Sequence, residues 1–283
     1  MTNAAKLRLK VAFGRFLAEK GEGVHHIAVD TPRFDEALMK AKGCALPLSG
    51  TFSGIDIAYL PTKPCPGGTM AHVRVHNFTI SLDGYGAGPR QTREDPLGSG
   101  GEALHDWFIP TRAFQRINGK TGGTTGVDDD IAARFGQGIG AYIMGRNMFG
   151  PSRGPWPEDG WRGWWGKNPP YHTPVFVLTH HNHPPIEMEG GTVFHFVTGG
   201  IHEALQRATA AAGGNDIQVG GGASTIRQYL AARVIGELHV AIAPVLLGSG
   251  EHLFHGLDLS ALGYRCATHV PTAAATHFVL TRA

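Results

Sequence analysis

The run Ile217-Gln-Val-Gly-Gly-Gly-Ala-Ser-Thr-Ile226 leads an apolar strand through three glycines directly into a helix. Glycine has no Cβ, so a ligand can approach the backbone closely. The first turn of a helix adds unpartnered N–H groups and the positive end of the helix dipole. Gly220, Gly221 and Gly222, with the amides of Ala223 and Ser224, therefore make a candidate cradle for a diphosphate. Two further strand exits share this logic. Ala141 to Met144 runs into Gly145-Arg146-Asn147, which offers a cation beside a glycine, and Leu178-Thr179-His180-His181 offers hydroxyl and imidazole donors. If all three leave one sheet at its carboxyl edge, they meet where open α/β sheets bind ligands. Each exit alone is also readable as an ordinary turn; together they favour a phosphate-bearing cofactor.

Other groupings carry less. Gly119-Lys120-Thr121 resembles the tail of a P-loop, but Phe114 stands where the required glycine should be and no strand precedes it. His180, His181 and His183, like His252 and His255, lack metal-ligand spacing, because alternation along an extended chain does not converge neighbouring imidazoles. No metal site is expected. Asp128, Asp129 and Asp130 open a helix, where acids complement the dipole.

These groups need elements to position them. Pro61 to Met70 is dense in Pro and Gly, and a β-rich run starts at Val73, so a boundary is placed there, giving segments 1–70 and 71–283. After it the periodicity predicts strands at Val73 to Ile80, Ala141 to Met144, Val175 to Leu178, Val193 to Val197, Ile217 to Val219, Glu237 to Ala243 and Thr276 to Leu280. Helices are predicted at Leu104 to Ile109, Asp128 to Phe135, Ile201 to Ala211 and Ala223 to Ala232. This alternation implies an α/β domain of three layers with a mostly parallel central sheet. Gly84 to Gly101 and the Trp-rich Phe149 to Thr173 remain as long connections, a length typical of binding loops but open to a surface or dimer role. Before the boundary, strands at Val24 to Val29 and Ile55 to Leu60 with helices at Phe13 to Lys20 and Arg33 to Lys42 form a partial β-α-β module too small for an independent core.

Composition narrows the partners. Of 283 residues 41 are Gly, without a Gly-X-Y period, and charged residues are 17%, which excludes collagen and a highly charged disordered chain. Residues after 70 carry 16 basic against 17 acidic side chains, so no nucleic-acid partner is expected. Three scattered cysteines, no apolar run of membrane length and no secretory h-region point to a cytoplasmic protein without a membrane partner.

From Val73 onward the chain resembles the dihydrofolate reductase-like superfamily, specifically the RibD C-terminal reductase domain of riboflavin biosynthesis. The resemblance rests on Asn77-Phe-Thr-Ile-Ser-Leu-Asp-Gly84, Ile143-Met-Gly-Arg-Asn-Met-Phe149, Val175 to Thr179, Val219 to Gly222, and Glu237 to Gly250 with Leu253-Phe254, in the family's order. It implies an NADPH-dependent reductase, expected to be a homodimer, that transfers hydride to a small pteridine- or pyrimidine-like heterocycle. By the same resemblance Gly145, Arg146 and Asn147 face cofactor phosphates, Thr179 and His180 the adenosine ribose phosphate, and Gly220 to Ser224 the pyrophosphate. Ser81, Asp83 and Gly84 would line the nicotinamide side. Asp106 matches by position a carboxylate that anchors the heterocycle, so Asp106 and Asp83 are the catalytic candidates; Asp106 is equally readable as a helix-start acid, and Trp107 as a stacking platform or a core residue. Met148 departs from the family by replacing a threonine hydroxyl that binds phosphate. A nucleotide-binding protein of the same fold without turnover is the alternative. The zinc-deaminase pattern of the bifunctional enzyme is missing.

Gly23-Val-His-His-Ile-Ala-Val29, Ile57-Ala-Tyr-Leu60 and Gly67-Gly68 resemble part of a glyoxalase/vicinal oxygen chelate module. In that family His26 would be a metal ligand, but Ala71-His-Val-Arg-Val75 stands where a second ligand, a Glu, is expected. The segment is therefore read as an appended fragment.

Overall fold

The computed structural model describes residues 72–282 and, before them, three short strands, β1 (Ile27–Ala28), β2 (Ser49–Phe52) and β3 (Ile55–Ala58). The backbone divides into Met1–Met70 and Ala71–Ala283. In the first unit β3 lies between β1 and β2, antiparallel to both, with Ile27 opposite Ala58 and Phe52 opposite Ile55. No strand is expected from the sequence at Ser49–Phe52. The two helices expected in this unit, and His26, lie outside the described residues.

In the second unit β4 (Val73–Ser81), β5 (Ile139–Gly145), β6 (Pro174–Leu178), β7 (Ile186–Glu187), β8 (Val193–Val197), β9 (Asp216–Gly221), β10 (Glu237–Ala243), β11 (Tyr264–Pro271) and β12 (Thr276–Arg282) form one sheet. Their order is β11-β12-β10-β4-β9-β5-β6-β8-β7. The six central strands, β10 through β8, pair in parallel; the pairings of β10 with β12, β12 with β11 and β8 with β7 are antiparallel. This is a mixed α/β fold with a large, mostly parallel sheet, the class the alternation of elements implies. β5 is buried along its whole length, as expected of a strand covered on both faces.

The helices are α1 (Arg112–Ile117), α2 (Val127–Ala132), α3 (Arg146–Phe149), α4 (Gly200–Ala212) and α5 (Ala223–Ala231). α4 lays Ala204, Ala208 and Ala212 on the sheet at a spacing of four. The small stripe brings it so close that a Cβ on Gly140 of β5 would meet the Ala212 carbonyl. Gly213 then ends the helix in the left-handed region, where glycine is unstrained. Under α4 and α5 the core is Val75, Ile80, Ala141, Ile143, Ile217, Val219, Ile226 and Leu230.

On the other face no long helix among the described residues covers β5, β6 and β8. The Phe149 to Thr173 loop does so instead: Trp156, Trp161 and Trp165 pack on the cluster of Tyr142, Met144, Phe149, Tyr171, Phe194 and Phe196. Indoles bury enough area to stand in for a helix face, so the tryptophans serve the core. Leu104 to Ile109 forms a short 3-10 turn, Gly101–His105, rather than the expected helix, and α1 and β11 have no counterpart among the expected elements. Apart from its first residue β11 is mostly exposed on both faces, so it lacks the alternating pattern that reveals a half-buried strand.

Two irregularities set the surroundings of β4. It pairs with β9 only at Val73–Ile217 and Arg74–Gln218, after which the strands part. On the other edge of β4, Val75 pairs with Leu238 and Phe78 with Val240, so His76 and Asn77 both stand opposite His239. Asn77 takes up the extra residue of this bulge with φ of 57°, a conformation Asn tolerates better than most residues.

Candidate functional site

The fork between β4 and β9 opens into a cleft of about 1760 Å³ along the carboxyl edge of the parallel strands. Both long loops wall it, through Gln91, Pro96 and Leu97 on one side and Arg153, Trp164 and Trp165 on the other. The three strand exits singled out in the sequence meet here: Gly145, Arg146 and Asn147, Thr179 and His180, and Gly220 to Ser224 all line the cleft. A fourth exit, Thr198 with Gly200 and Ile201 at the start of α4, joins them. Val197-Thr-Gly-Gly200 has the same strand-glycine-helix grammar and could have been read from the sequence.

At α5 the N-cap is Gly222, which gives no side-chain cap; the first amide bonded back along the helix is that of Ile226, to the Gly222 carbonyl. The amides of Ala223 and Ser224 are thus free for an anion. The three glycines have different jobs. A Cβ on Gly220 or Gly221 would press on the Met148 side chain, 3.4 and 3.1 Å away, and at Gly221 also on Phe78 at 3.3 Å. A Cβ on Gly222 would meet nothing within 4 Å, so this glycine faces open cleft. Gly145 is committed to packing: a Cβ there would collide with Thr225 Oγ1. The closeness of Gly145 therefore lets β5 abut the first turn of α5, and ligand approach at that residue is not what excludes a side chain.

Arg146, at the start of α3, stacks over Trp156 with its guanidinium carbon 3.1 Å from the ring centroid. One arm donates to Thr179 Oγ1 at 3.4 Å; the other, Nη2, is buried with no hydrogen-bond partner among the described residues. Burial first, and the charge of Arg153 second, lower its pKa, so an anionic partner would favour the cation. Trp156 is held in turn by its Nε1 donating to the His181 carbonyl at 2.8 Å and by edge contacts with Phe149 and Phe196. A preoriented guanidinium with one arm open, beside uncapped helix amides, suits a ligand with a diphosphate and a further phosphate. Neither Trp156 nor Arg153 belongs to a local motif that would mark it in the sequence.

Ser81, Asp83 and Gly84 are not among the residues that line this cleft. The Ser81 hydroxyl donates to Asp83 Oδ1, and the amides of Leu247 and Gly248 donate to the same carboxylate at 3.1 and 2.7 Å. The Ser81 hydroxyl first, then these amides, hold Asp83 below the usual carboxylate range. Asp83 thus ties the end of β4 to the loop after β10. Gly84, at φ of 90°, packs against His252.

Asp106 does line the cleft, exposed at its rim at the end of the 3-10 turn. Trp107 is a core residue, 2% exposed, whose Nε1 donates to Thr79 Oγ1 at 2.8 Å. Thr79, His76, Asn77 and His105 line the cleft on that side. Two of the three aspartates of α2 do more than complement a dipole. Asp129, 4% exposed, accepts the Ala113 amide at 2.7 Å and pairs with Arg112 at 3.2 Å, while Asp128 bonds His277. Among the described residues no group of three His, Cys, Asp or Glu side chains is arranged to hold a metal ion, and no helix is long and apolar enough to cross a membrane.

Residues 72–278 match the family profile described as the RibD C-terminal domain. Comparison with curated proteins gives no match. Among solved structures, a protein described as belonging to riboflavin biosynthesis, from a Shewanella species, is 22% identical, with a TM-score of 0.47 over 76% of this chain and 99% of that one. The diaminohydroxyphosphoribosylaminopyrimidine deaminase/5-amino-6-(5-phosphoribosylamino)uracil reductase of Thermotoga maritima is 12% identical, with a TM-score of 0.44 over 76% of this chain and 57% of that one. Dihydrofolate reductase from Enterococcus faecalis, complexed with NADP(H), is 12% identical, with a TM-score of 0.40 over 76% of this chain and 98% of that one.

Proposed function

This chain belongs to the RibD C-terminal domain family, and on that premise we propose that it is an NADPH-dependent reductase of a small pteridine- or pyrimidine-like heterocycle. The observation that carries the reading is the unpaired Nη2 of Arg146 beside the uncapped start of α5. The amides of Ala223 and Ser224, reached past Gly222, hold the diphosphate. Arg146 and Thr179 hold the phosphate on the adenosine ribose, with His180 and Asn147 exposed at the same rim. Gly220 and Gly221 leave room for Met148 to form a smooth floor.

When bound, the reduced nicotinamide supplies a hydride. The chain's own residues bind and orient. Thr79 accepts the Trp107 N–H, so its hydroxyl proton is left for an acceptor atom of the heterocycle. Asp106, exposed at the cleft rim, is the carboxylate placed to hold ring N–H groups. Asp83 acts at a distance, through the loop it pins. The loops carrying Leu97 and Trp165 exclude water from the reacting face.

Met148 favours a second reading. Its side chain packs against Gly220 and Gly221, and by the resemblance a phosphate-binding threonine is expected at this sequence position, which suits a protein that binds the nucleotide without turnover. NADPH titration followed by tryptophan fluorescence tests the first step, and NADPH oxidation across pteridine and pyrimidine acceptors the second. Saturable binding with oxidation supports the reductase; binding without oxidation selects the second reading; no binding at millimolar NADPH overturns both. Residues 1–70 are taken as an appended glyoxalase-like fragment, and the protein as a cytoplasmic homodimer, whose oligomeric state light scattering on the full chain checks.

A further inference from the structure

We propose that His239, His277 and Asp128 form a one-directional hydrogen-bond relay that positions Asn77 at the floor of the cleft. The proposal rests on the reductase reading only in taking the cleft as the binding site.

Donor and acceptor roles along the chain follow from its two ends. The bulge takes the Asn77 amide out of the regular ladder, and this N–H can only donate; it meets His239 Nδ1 at 3.0 Å. That nitrogen must carry a lone pair, so the proton of a neutral His239 sits on Nε2. Nε2 lies 3.1 Å from His277 Nδ1, which must then accept, leaving the His277 proton on its own Nε2. There it donates to the Asp128 carboxylate at 2.8 Å. A proton added to either ring would set two donors against each other, so only the neutral tautomers satisfy every bond.

The surroundings support this state. His239 and His277 are 1% and 2% exposed, and Trp107 stands edge-on against the His277 ring at 4.8 Å. Burial first, with the nearby Arg134 among the lesser causes, holds His239 down to about 2. The relay ends at Asp128, the most exposed member, in the first turn of α2.

Its consequence is at the fork. Asn77 has φ of 57°, and its side chain donates to the Ala132 carbonyl at 3.3 Å while its own oxygen is buried with no partner among the described residues. Without an acceptor at His239, the bulged, half-buried amide would be left unsatisfied, and β4 would gain by closing the bulge. The relay therefore keeps His76 and Asn77 where the cleft needs them. His239, His277 and Asp128 are positioning residues that act through Asn77.

The test uses the full chain labelled with 15N. Long-range proton–nitrogen correlation reads which ring nitrogen is protonated, and amide exchange reads Asn77. In the native protein both histidines carry their proton on Nε2 and the Asn77 amide exchanges slowly. Asp128→Asn keeps an acceptor oxygen and Asp128→Ala does not, whereas both lose the same charge beside the α2 dipole. The alanine variant should show mixed tautomers at both rings, Asn77 exchange faster by about tenfold and NADPH affinity lower by severalfold, with the asparagine variant near native. His277→Phe, which keeps the contact with Trp107, should release Asn77 in the same way. A native His239 protonated at Nδ1, or alanine and asparagine variants alike in tautomer and Asn77 exchange, overturns the relay. Failure of every variant and the native chain to bind NADPH instead sinks the functional reading and leaves the relay to be judged by the nitrogen data.

Discussion

Arg146 and Trp156 form a stacked pair, the guanidinium carbon 3.1 Å from the ring centroid, that joins the end of β5 to the Trp-rich loop. The stack fixes a cation whose second arm has no partner, so its orientation is set before any ligand arrives. Preorganisation of this kind lowers the entropic cost of binding.

Arg146→Ala should weaken NADPH binding roughly 10- to 100-fold, the range for a charge-assisted hydrogen bond, and leave NADH binding within about threefold. Paired titrations with the two cofactors decide this. Equal losses for both would place Arg146 away from the ribose phosphate.

The glycines should separate into packing and binding roles. Gly145→Val forces its side chain into Thr225 and should destabilise the domain by about 1–3 kcal/mol, read as a lower urea midpoint. Gly222→Val adds bulk to open cleft and should weaken NADPH with the urea midpoint nearly unchanged. If the two effects came out reversed, the cradle would be misassigned.

Acid should unfold the domain through its buried imidazoles. Burial first lowers His76 to about 4 and His239 to about 2, against 6.5 in the unfolded chain. The unfolded state therefore binds more protons below 6.5, and the stability contributed by the neutral rings, complete above that pH, is lost as pH falls through 6.5 toward 4 and on toward 2. Each ring contributes a slope on the order of 1.4 kcal/mol per pH unit in that window. Urea midpoints compared at neutral and mildly acidic pH measure it; a flat profile would contradict their burial as neutral groups.

Arg93 links the two long loops, 3.5 Å from Asp159 and 4.9 Å from the Trp161 ring centroid. Both loops wall the cleft, so Arg93→Ala should speed NADPH release about two- to fivefold, as expected of an exposed cation–π contact, without lowering the thermal midpoint. Stopped-flow displacement with excess unlabelled cofactor reads the rate. An unchanged rate would mean the link does not govern access.

Local pattern makes much of this legible. Six central strands and α4 and α5 follow from runs of apolar residues and glycine exits, because their periods are set within a few residues. The same grammar marks Arg146, Thr179 and the start of α5. Asp83 and Asp106 are marked only by position in a family pattern, and position alone does not tell a cleft residue from one that pins a loop.

What the sequence by itself determined is the alternation of strand and helix and the glycine-rich strand ends, since a missing Cβ and a free helix amide are properties of the local chain. Tertiary structure decided the rest. Which glycine meets Met148, Phe78 or Thr225 and which meets open space depends on side chains from other strands. His239 and His277 are 38 residues apart, and each looks ordinary in its own strand. Only the pairing of β4, β10 and β12 aligns them with Asp128 and Asn77, because hydrogen-bond roles are assigned by neighbours in space, and sequence spacing carries no record of those neighbours.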